Sequence, residues 1–282
     1  MSPAETASIS PTAHYTGYVW LKNGLSHPAF YTRQGLAFYT ALRPFNRLSR
    51  SISGATLEAM LLARHRVIDH LLMTEIESGR VSQVVEVAAG LSPRGYRFTE
   101  RYPDVRYLEA DLTSMAERKR RLIERAGLSC GNLEVVVVNA LADEGEHSLF
   151  EVGRRNLDPG AGTALITEGL LGYFPVPIIA QMWERFARFL GQFPHGLYLS
   201  DLHCEEDVER VRGAFLFKQL LARFSRSNMS HYFADARAAR DALEAAGFET
   251  GRVHLASDFG DELEVPGPRQ SAFVRIVEAK IE

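Results

Sequence analysis

The sequence predicts an α/β protein built on a doubly wound, mostly parallel sheet. Apolar runs of strand length alternate with segments that have helical periodicity. The runs lack the polar alternation of a strand with one solvated face, which is typical of strands covered by helices on both sides. The predicted strands are 84–89, 105–108, 133–138, 161–166 and 196–199.

Helices are predicted between these strands and before the first of them. Thr56 is the predicted N-cap of the first helix and Gly79 its predicted end. After residue 201 the alternation breaks, and a further helix and two closing strands predict an antiparallel hairpin on the edge of the sheet. The predicted elements are helices around 57–79, 95–102, 114–126, 147–156, 176–190 and 235–246, and a last strand near 271–279.

Composition excludes several classes of protein. The chain has 282 residues, 46% of them hydrophobic, which is enough for one large domain with or without a cap. A net charge of -3 argues against nucleic-acid binding. Cys130 and Cys204 are far apart and without metal-ligand spacing, so we expect no metal site and a reducing compartment. With neither a signal-peptide pattern nor an apolar run of membrane-spanning length, we expect a cytoplasmic protein without membrane contact.

We predict a division into two parts. Residues 1–56 form a tail of about 12 residues and an aromatic-rich cap or lid of short helices and loops, and residues 57–282 form the main domain. A helical lid insertion is predicted at about 205–232. A lid would exclude water from a reacting centre. The alternative is that the aromatic residues of the cap complete the core.

The first predicted strand runs into a turn of small residues, VVEVAAGLSPRG at 84–95. In doubly wound sheets, ligands lie beyond the carboxyl ends of the strands, beside this first turn. Small residues such as Ala88 and Gly90 let the backbone approach a ligand, and the following helix N-terminus favours negative charge. The spacing from Gly90 to Gly95 does not fit the GxGxxG turn of dinucleotide-binding proteins. By itself, such a turn is equally consistent with a structural role.

Polar residues follow the next two strands. Glu109 and Asp111 lie 19 and 21 residues after Gly90, near the spacing at which an acid accepts hydrogen bonds from ribose hydroxyls. The alternative for Asp111 is an N-cap of the following helix. Asn139 and Ala140 end the third strand, where nucleoside-binding domains read adenine, although Asn139 alone is typical of a turn.

The fourth predicted strand ends in TEGLLGYFP at 167–175. Glu168 and Tyr173 stand there beside two glycines, which is unusual for a simple connection between a strand and a helix. The segment therefore adds a fourth group of polar residues at the carboxyl ends of the predicted strands.

Taken in order, these motifs resemble the leucine carboxyl methyltransferase-like family, which includes bacterial polyketide O-methyltransferases. The resemblance covers about 57–190 and extends more loosely to the end of the chain. It rests on ARHRVID at 63–69, EVAAGLSPRG at 86–95, YLEADL at 107–112 followed by Lys119 and Arg120, and TEGLLGYF at 167–174. It implies a Rossmann-like sheet of seven strands with an antiparallel terminal hairpin, and S-adenosyl-L-methionine as cofactor.

The resemblance also implies roles for single residues. Arg64 is similar to the arginine that pairs with the methionine carboxylate, Asp111 to the ribose ligand with Glu109 as the alternative, and Glu168 to the acid near the cofactor amine. The methionine part and the adenine are assigned to the remaining positions, namely Glu86, Ala88 and Gly90, and Asn139 and Ala140. The chain departs from the family at Ala88, where a glycine is usual, at Ser92, where an aspartate is usual, and at Asn139-Ala140, where Asp-Leu is frequent.

We also predict a partner for Arg64. It interrupts the apolar pattern of its helix, and a half-buried arginine needs an anion. The nearest free anion that the sequence suggests is the carboxylate of the cofactor, which a guanidinium grips with two hydrogen bonds. The alternative is a surface arginine paired with Glu58 or Asp69.

The predicted activity is S-adenosylmethionine-dependent O-methylation of a hydroxyl or carboxyl group of a small molecule. A carboxylate acceptor needs no base, whereas a hydroxyl does. We assign no catalytic residue; the candidates for a base are His14, His27, Tyr173, Asp201, His203 and His231. Predicted contacts to the acceptor are Tyr15, Trp20, Tyr173 and His203.

Three other functions compete with this one. A protein carboxyl methyltransferase and a non-catalytic S-adenosylmethionine-binding protein remain alternatives, because a fold does not fix a function. A nicotinamide-dependent oxidoreductase shares the fold class, but the chain lacks the GxGxxG turn and a recognisable catalytic set.

Overall fold

The computed structural model describes residues 11–54, 56–209, 233–260, 263 and 274–282. Its centre is a seven-stranded sheet in the order β3-β2-β1-β4-β5-β7-β6. The first five strands are parallel, and β7 runs antiparallel to both β5 and β6. The doubly wound sheet and its antiparallel terminal hairpin are therefore confirmed. The strands are β1 (Gln83–Val87), β2 (Arg106–Asp111), β3 (Leu133–Val137), β4 (Thr163–Thr167), β5 (Gly196–Leu202), β6 (Thr250–Leu255) and β7 (Arg275–Ile281).

Helices cover both faces of the sheet. They are α1 (Pro11–Lys22), α2 (Arg33–Ser53), α3 (Leu57–Glu77), α4 (Arg94–Arg101), α5 (Thr113–Ala126), α6 (Leu149–Asn156), α7 (Val176–Leu190), α8 (Glu205–Glu209) and α9 (Ala236–Ala245). Short 3-10 turns lie at Pro28–Phe30, Leu171–Tyr173 and Ala256–Phe259. Among the helices of the described ranges, none has the length and apolar character needed to cross a membrane.

Alternate residues of the strands face the two helical layers, as the pleat requires. On one face, Val85 and Leu165 pack with Trp183 and Phe186 of α7. On the other face, Ala164, Ile166 and Leu199 pack with residues of α3 such as Ile68 and Leu72. Burial on both faces is what the continuous apolar runs of the sequence predict.

The helix that carries Arg64 begins as predicted. The side chain of Thr56 accepts a hydrogen bond from the backbone N–H of Ala59 at 3.1 Å, so Thr56 caps α3. The predicted end is also close, since α3 stops at Glu77 and Gly79 adopts the left-handed conformation with φ of 77°. Both ends of α3 thus agree with the prediction. The helix packs on the sheet and places Arg64 beside Glu168, just after the end of β4.

The prediction of short helices and loops before residue 57 is wrong. Residues 11–53 contain α1 and the 21-residue helix α2, whose N-cap Thr32 accepts from Gly35 N–H at 3.0 Å. Gly35 in the first turn and Pro44 in the interior are poor helix formers, and they obscure the helical signal in the sequence. The helix is held by packing instead, since Tyr39 contacts both Tyr15 and Tyr18 of α1.

Parts of the predicted tail and lid lie outside the described residues. This holds for residues 1–10 of the tail and for 210–232 of the lid insertion, of which only α8 is described. The division at residue 56 and the role of both segments as lids stay predictions.

Candidate functional site

The carboxyl ends of β1, β2, β4 and β5 meet at one edge of the sheet, as parallel strands must. This edge, with the adjoining end of α3, is the candidate site. It brings together the turn at 88–93, Asp111, Glu168 and Asp201 from the strand ends, and Arg64 from the helix.

The turn after β1 is joined directly to the end of β2. Ala88 and Gly90 both have positive φ, 55° and 51°, which reverses the chain within a few residues. The backbone N–H of Gly90 donates to Asp111 Oδ2 at 2.7 Å, and the N–H of Leu112 donates to Oδ1 at 2.8 Å. Burial raises the pKa of Asp111, and these two N–H donors oppose that shift.

Asp111 does not cap the following helix. The N-cap of α5 is Leu112, and no side chain caps this helix. The alternative that Asp111 is an N-cap is therefore wrong. Its carboxylate instead bonds the turn at Gly90. This contact is possible because β1 and β2 are adjacent and parallel, so that the end of β2 lies beside the turn after β1.

Glu109 has a different environment from Asp111. Its side chain is 1% exposed, forms an ion pair with Lys119 Nζ at 2.9 Å, and packs against Gly95, where a Cβ atom would collide with it. Burial raises the pKa of Glu109 to about 7, against the charge of Lys119. Of the two acids, Asp111 is the one that is partly exposed at the edge of the sheet.

A buried arginine organises the inner side of the site. Arg94 is fully buried and donates to Asp69 Oδ1 at 2.6 Å, to Glu86 Oε1 at 2.5 Å and to Glu168 Oε2 at 2.6 Å. Three carboxylates converge on one guanidinium, as the fork geometry of arginine allows. This cluster was not predicted from the sequence, where only the match of Arg94 to a family motif pointed to it.

Glu86 and Glu168 are both held in this cluster by hydrogen bonds to Arg94. Glu86 accepts from Arg94 and, at its other oxygen, from the hydroxyl of Tyr107 at 2.9 Å. Burial alone would raise the pKa of Glu168, but the charges of His65, Arg94 and Arg64 hold it well below the usual range. Both side chains are almost fully enclosed, and their predicted contacts to a cofactor stay predictions.

Arg64 finds its anionic partners within the protein. Its Nε donates to Glu168 Oε1 at 2.9 Å and its Nη1 to Asp201 Oδ2 at 3.1 Å. The cofactor carboxylate is therefore not the nearest anion, and Glu58 and Asp69 pair with other cations instead. A contact of Arg64 with the cofactor stays a prediction. Adjacent strands β4 and β5 place two carboxylates at the same edge, which the sequence alone does not reveal.

The residues at the predicted adenine position form a turn. Asn139 is exposed, and its Oδ1 accepts from Leu141 N–H at 3.1 Å, as the turn alternative predicts. The carbonyl oxygen of Ala140 accepts from Arg185 Nη1 at 3.3 Å. A contact of either residue with adenine stays a prediction.

Helix α1 extends across the edge of the sheet. The hydroxyl groups of Thr12 and Tyr173 are 2.7 Å apart, and the ring of Trp20 lies 4.8 Å from that of His65. Tyr173 is 39% exposed, whereas Tyr15 is enclosed and accepts from Asn46 Nδ2 at 3.1 Å. These contacts place α1 beside the segment after β4 and beside α3.

The candidate bases have mixed surroundings. His14 is buried, and its Nδ1 lies 3.0 Å from Thr32 Oγ1. Its pKa is lowered, mainly by burial and also by the nearby charge of Arg118. His27 accepts from Ala29 N–H at 3.2 Å and so caps a turn. His203 is partly exposed directly after β5, and His231 lies outside the described residues. In the part of the chain that the structure describes, no three metal-ligating side chains cluster.

A family model and several known proteins match parts of this sequence. The family model described as leucine carboxyl methyltransferase matches residues 29–187, more than half of the chain. A candidate S-adenosyl-L-methionine-dependent methyltransferase of Mycolicibacterium gilvum is 34% identical over 116 residues, which are 41% of this chain and 36% of that protein. One of Streptomyces avermitilis is 30% identical over 135 residues, 47% and 45% of the two chains. The matched region spans less than half the length of these relatives.

Solved structures share the fold at low sequence identity. A candidate methyltransferase from Thermobifida fusca aligns with a TM-score of 0.65 and 14% identity over 98% of this chain and 96% of that chain. The magnesium protoporphyrin IX methyltransferase of Synechocystis PCC 6803, solved with bound SAH, aligns with a TM-score of 0.52 and 12% identity over 80% and 86%. At such identities the likeness concerns the fold alone.

Proposed function

Because the chain belongs to the leucine carboxyl methyltransferase family, we propose that it is an S-adenosylmethionine-dependent methyltransferase acting on an oxygen of a small molecule, a carboxyl or a hydroxyl group. The observation that carries this proposal is the hydrogen bond from Gly90 N–H to Asp111. It sets an acidic acceptor beside a small-residue turn at the carboxyl edge of the sheet, where doubly wound proteins bind nucleosides.

The residues at this edge fit an adenosine and an amino-acid group. Each oxygen of Asp111 accepts one backbone N–H and keeps a second acceptor site, so both oxygens remain able to accept from ribose hydroxyls. Arg64 supplies a guanidinium for a carboxylate at the other end. When bound, S-adenosylmethionine supplies a methyl group already activated by its sulfonium. The protein then has to hold the acceptor oxygen in line and exclude water.

The cap is the proposed acceptor site. Tyr173 and Trp20 lie where α1 crosses the strand ends, and His203 follows β5. Together with Tyr15 they are the proposed contacts to the acceptor. The name of the family favours a carboxyl acceptor, which is nucleophilic without a base.

Calorimetry with S-adenosylhomocysteine tests the cofactor. We expect a Kd in the micromolar range, about −8 kcal/mol, as for ordinary cofactor sites. The matched comparison is a nicotinamide dinucleotide, for which the turn at Gly90 has the wrong spacing. Binding of the dinucleotide without binding of S-adenosylhomocysteine would overturn the proposal.

The acceptor is tested by transfer of a labelled methyl group to a library of small carboxylic acids and phenols. A methyl ester releases its label as methanol in alkali, whereas an ether keeps it, so one treatment separates the two acceptor classes. Label in a protein fraction would favour a protein carboxyl methyltransferase. Cofactor binding without transfer to any acceptor would favour the non-catalytic alternative.

A further inference from the structure

Asp201 links two parts of the candidate site. It lies near the end of β5 and is 6% exposed. Its Oδ1 accepts the backbone N–H of Gly169, in the segment after β4, at 2.5 Å. Its Oδ2 accepts from Arg64 Nη1 at 3.1 Å. One carboxylate thus ties the end of β4 to the arginine of α3.

Gly169 allows the guanidinium of Arg64 to lie directly against the backbone. A Cβ atom at Gly169 would lie 2.9 Å from Nη2, 3.1 Å from Nη1 and 3.3 Å from Cζ of Arg64. The guanidinium therefore rests against the bare backbone of Gly169, whose φ of 72° also favours glycine. Since Asp201 holds both Gly169 N–H and Arg64 Nη1, it sets the position of one relative to the other.

Arg64 retains donors that its protein partners do not use. A guanidinium has five N–H groups. Nε serves Glu168 and one N–H of Nη1 serves Asp201, while within the described ranges Nη2 has no hydrogen-bond partner. The second N–H of Nη1 and those of Nη2 suffice for the two parallel hydrogen bonds by which an arginine binds a carboxylate.

We propose that Asp201 is a positioning residue for the amino-acid half of the cofactor, and that it acts through Arg64. The inference rests on the proposed function. Asp201 and a ligand carboxylate can be bound by Arg64 at the same time, because they require different N–H groups. Asp201 is also anchored by Gly169 and by its strand, so it is not free to leave when a ligand arrives. The competing interpretation is that Asp201 blocks Arg64 until a ligand displaces it. It predicts that Asp201→Asn strengthens binding of the ligand, whereas our proposal predicts weaker binding.

The test compares two ligands on the wild type and on Asp201→Asn. S-adenosylhomocysteine has the amino-acid half, whereas 5′-methylthioadenosine has the nucleoside and the thioether without it. We expect Asp201→Asn to weaken binding of S-adenosylhomocysteine at least tenfold and to change binding of 5′-methylthioadenosine less than twofold. In an Arg64→Lys background, the same substitution should change affinity for S-adenosylhomocysteine less than twofold.

Two outcomes overturn the inference. An equal loss for both ligands means that Asp201 supports the fold in general, and tighter binding of S-adenosylhomocysteine means that it competes for Arg64. Glu278→Gln is the matched control, since Glu278 is a buried carboxylate on the neighbouring strand bonded to His254. If Asp201→Asn does not fold, Asp201→Glu keeps the charge but displaces it by one methylene, and the same two criteria apply. If the wild type binds neither ligand, it is the proposed function that fails.

Discussion

Gly90 donates its backbone N–H to Asp111 Oδ2 at 2.7 Å and so joins the turn after the first strand to the end of the second. The bond spans 21 residues of sequence but only one step across the sheet, from β1 to β2. This bond lets Asp111 hold the turn, and acceptance of hydrogen bonds from a ribose is its proposed second role.

We expect Asp111→Ala to weaken binding of S-adenosylhomocysteine by about 1.5–3 kcal/mol, the range for hydrogen bonds to a charged group. Calorimetry of the folded variant measures this loss. Asp104→Ala is the control, because Asp104 is an exposed acid just before the same strand. If Asp111→Ala and Asp104→Ala both leave the affinity unchanged, Asp111 only closes the turn.

Arg94 holds three carboxylates in a fully buried cluster. Its replacement by methionine would leave these charges without their shared cation, so we expect a loss of about 3–5 kcal/mol in the free energy of unfolding. Urea denaturation measures the loss. Arg101→Met on the same helix removes exposed contacts, chiefly the ion pair with Glu77, and should cost less than about 1 kcal/mol. Equal effects of the two substitutions would contradict the role of Arg94.

Ala88 has a φ of 55°, the one positive φ among the non-glycine residues in the described ranges. The left-handed conformation costs a non-glycine residue roughly 1–2 kcal/mol. Glycine avoids this cost but loses about 0.5–1 kcal/mol more in conformational entropy on folding. We therefore expect Ala88→Gly to stabilise the protein by about 0.5–1 kcal/mol. Ala89→Gly, at a residue without positive φ, should destabilise it instead. Thermal and urea denaturation measure the change in stability of each variant. A loss of stability in Ala88→Gly would show that the methyl group of Ala88 is needed for packing.

Glu109 makes the stability depend on pH. Burial raises its pKa from 4.5 to about 7 in the folded state, so the folded protein holds this proton more tightly than the unfolded chain does. The contribution of Glu109 to the free energy of unfolding is therefore complete below pH 4.5 and is lost as the pH rises to about 7.

Glu109→Gln removes this titration, so the stability of the wild type relative to the variant should fall between about pH 4.5 and 7 and stay level above. Urea denaturation at several pH values gives the two profiles. Glu134→Gln, at an exposed glutamate on β3, is the control for replacing a glutamate by glutamine. Parallel profiles for Glu109→Gln and the wild type would mean that Glu109 titrates alike in the folded and unfolded chains.

The sequence by itself determined the sheet and the helices α3 to α7 that cover it, and it predicts that the site lies at the carboxyl edge of that sheet. Burial of a strand on both faces leaves a continuous apolar run, and this local signal locates β1 together with the small-residue turn that follows. Asp111 is a candidate because it ends the second such run, 21 residues after Gly90. The order of the weak motifs along the chain then identified the family, which the family model confirms.

The tertiary structure decided which charges meet. Arg64 and Asp201 are 137 residues apart, and their contact depends on the neighbouring positions of β4 and β5 in the sheet, which no local pattern specifies. Arg94 likewise gathers carboxylates from α3, β1 and the end of β4. Helix α2 was missed for a related reason, because contacts of Tyr39 with α1 stabilise it in spite of its glycine and proline. Periodicity reports burial along one segment, whereas ion pairs and packing between segments exist only after the chain has folded.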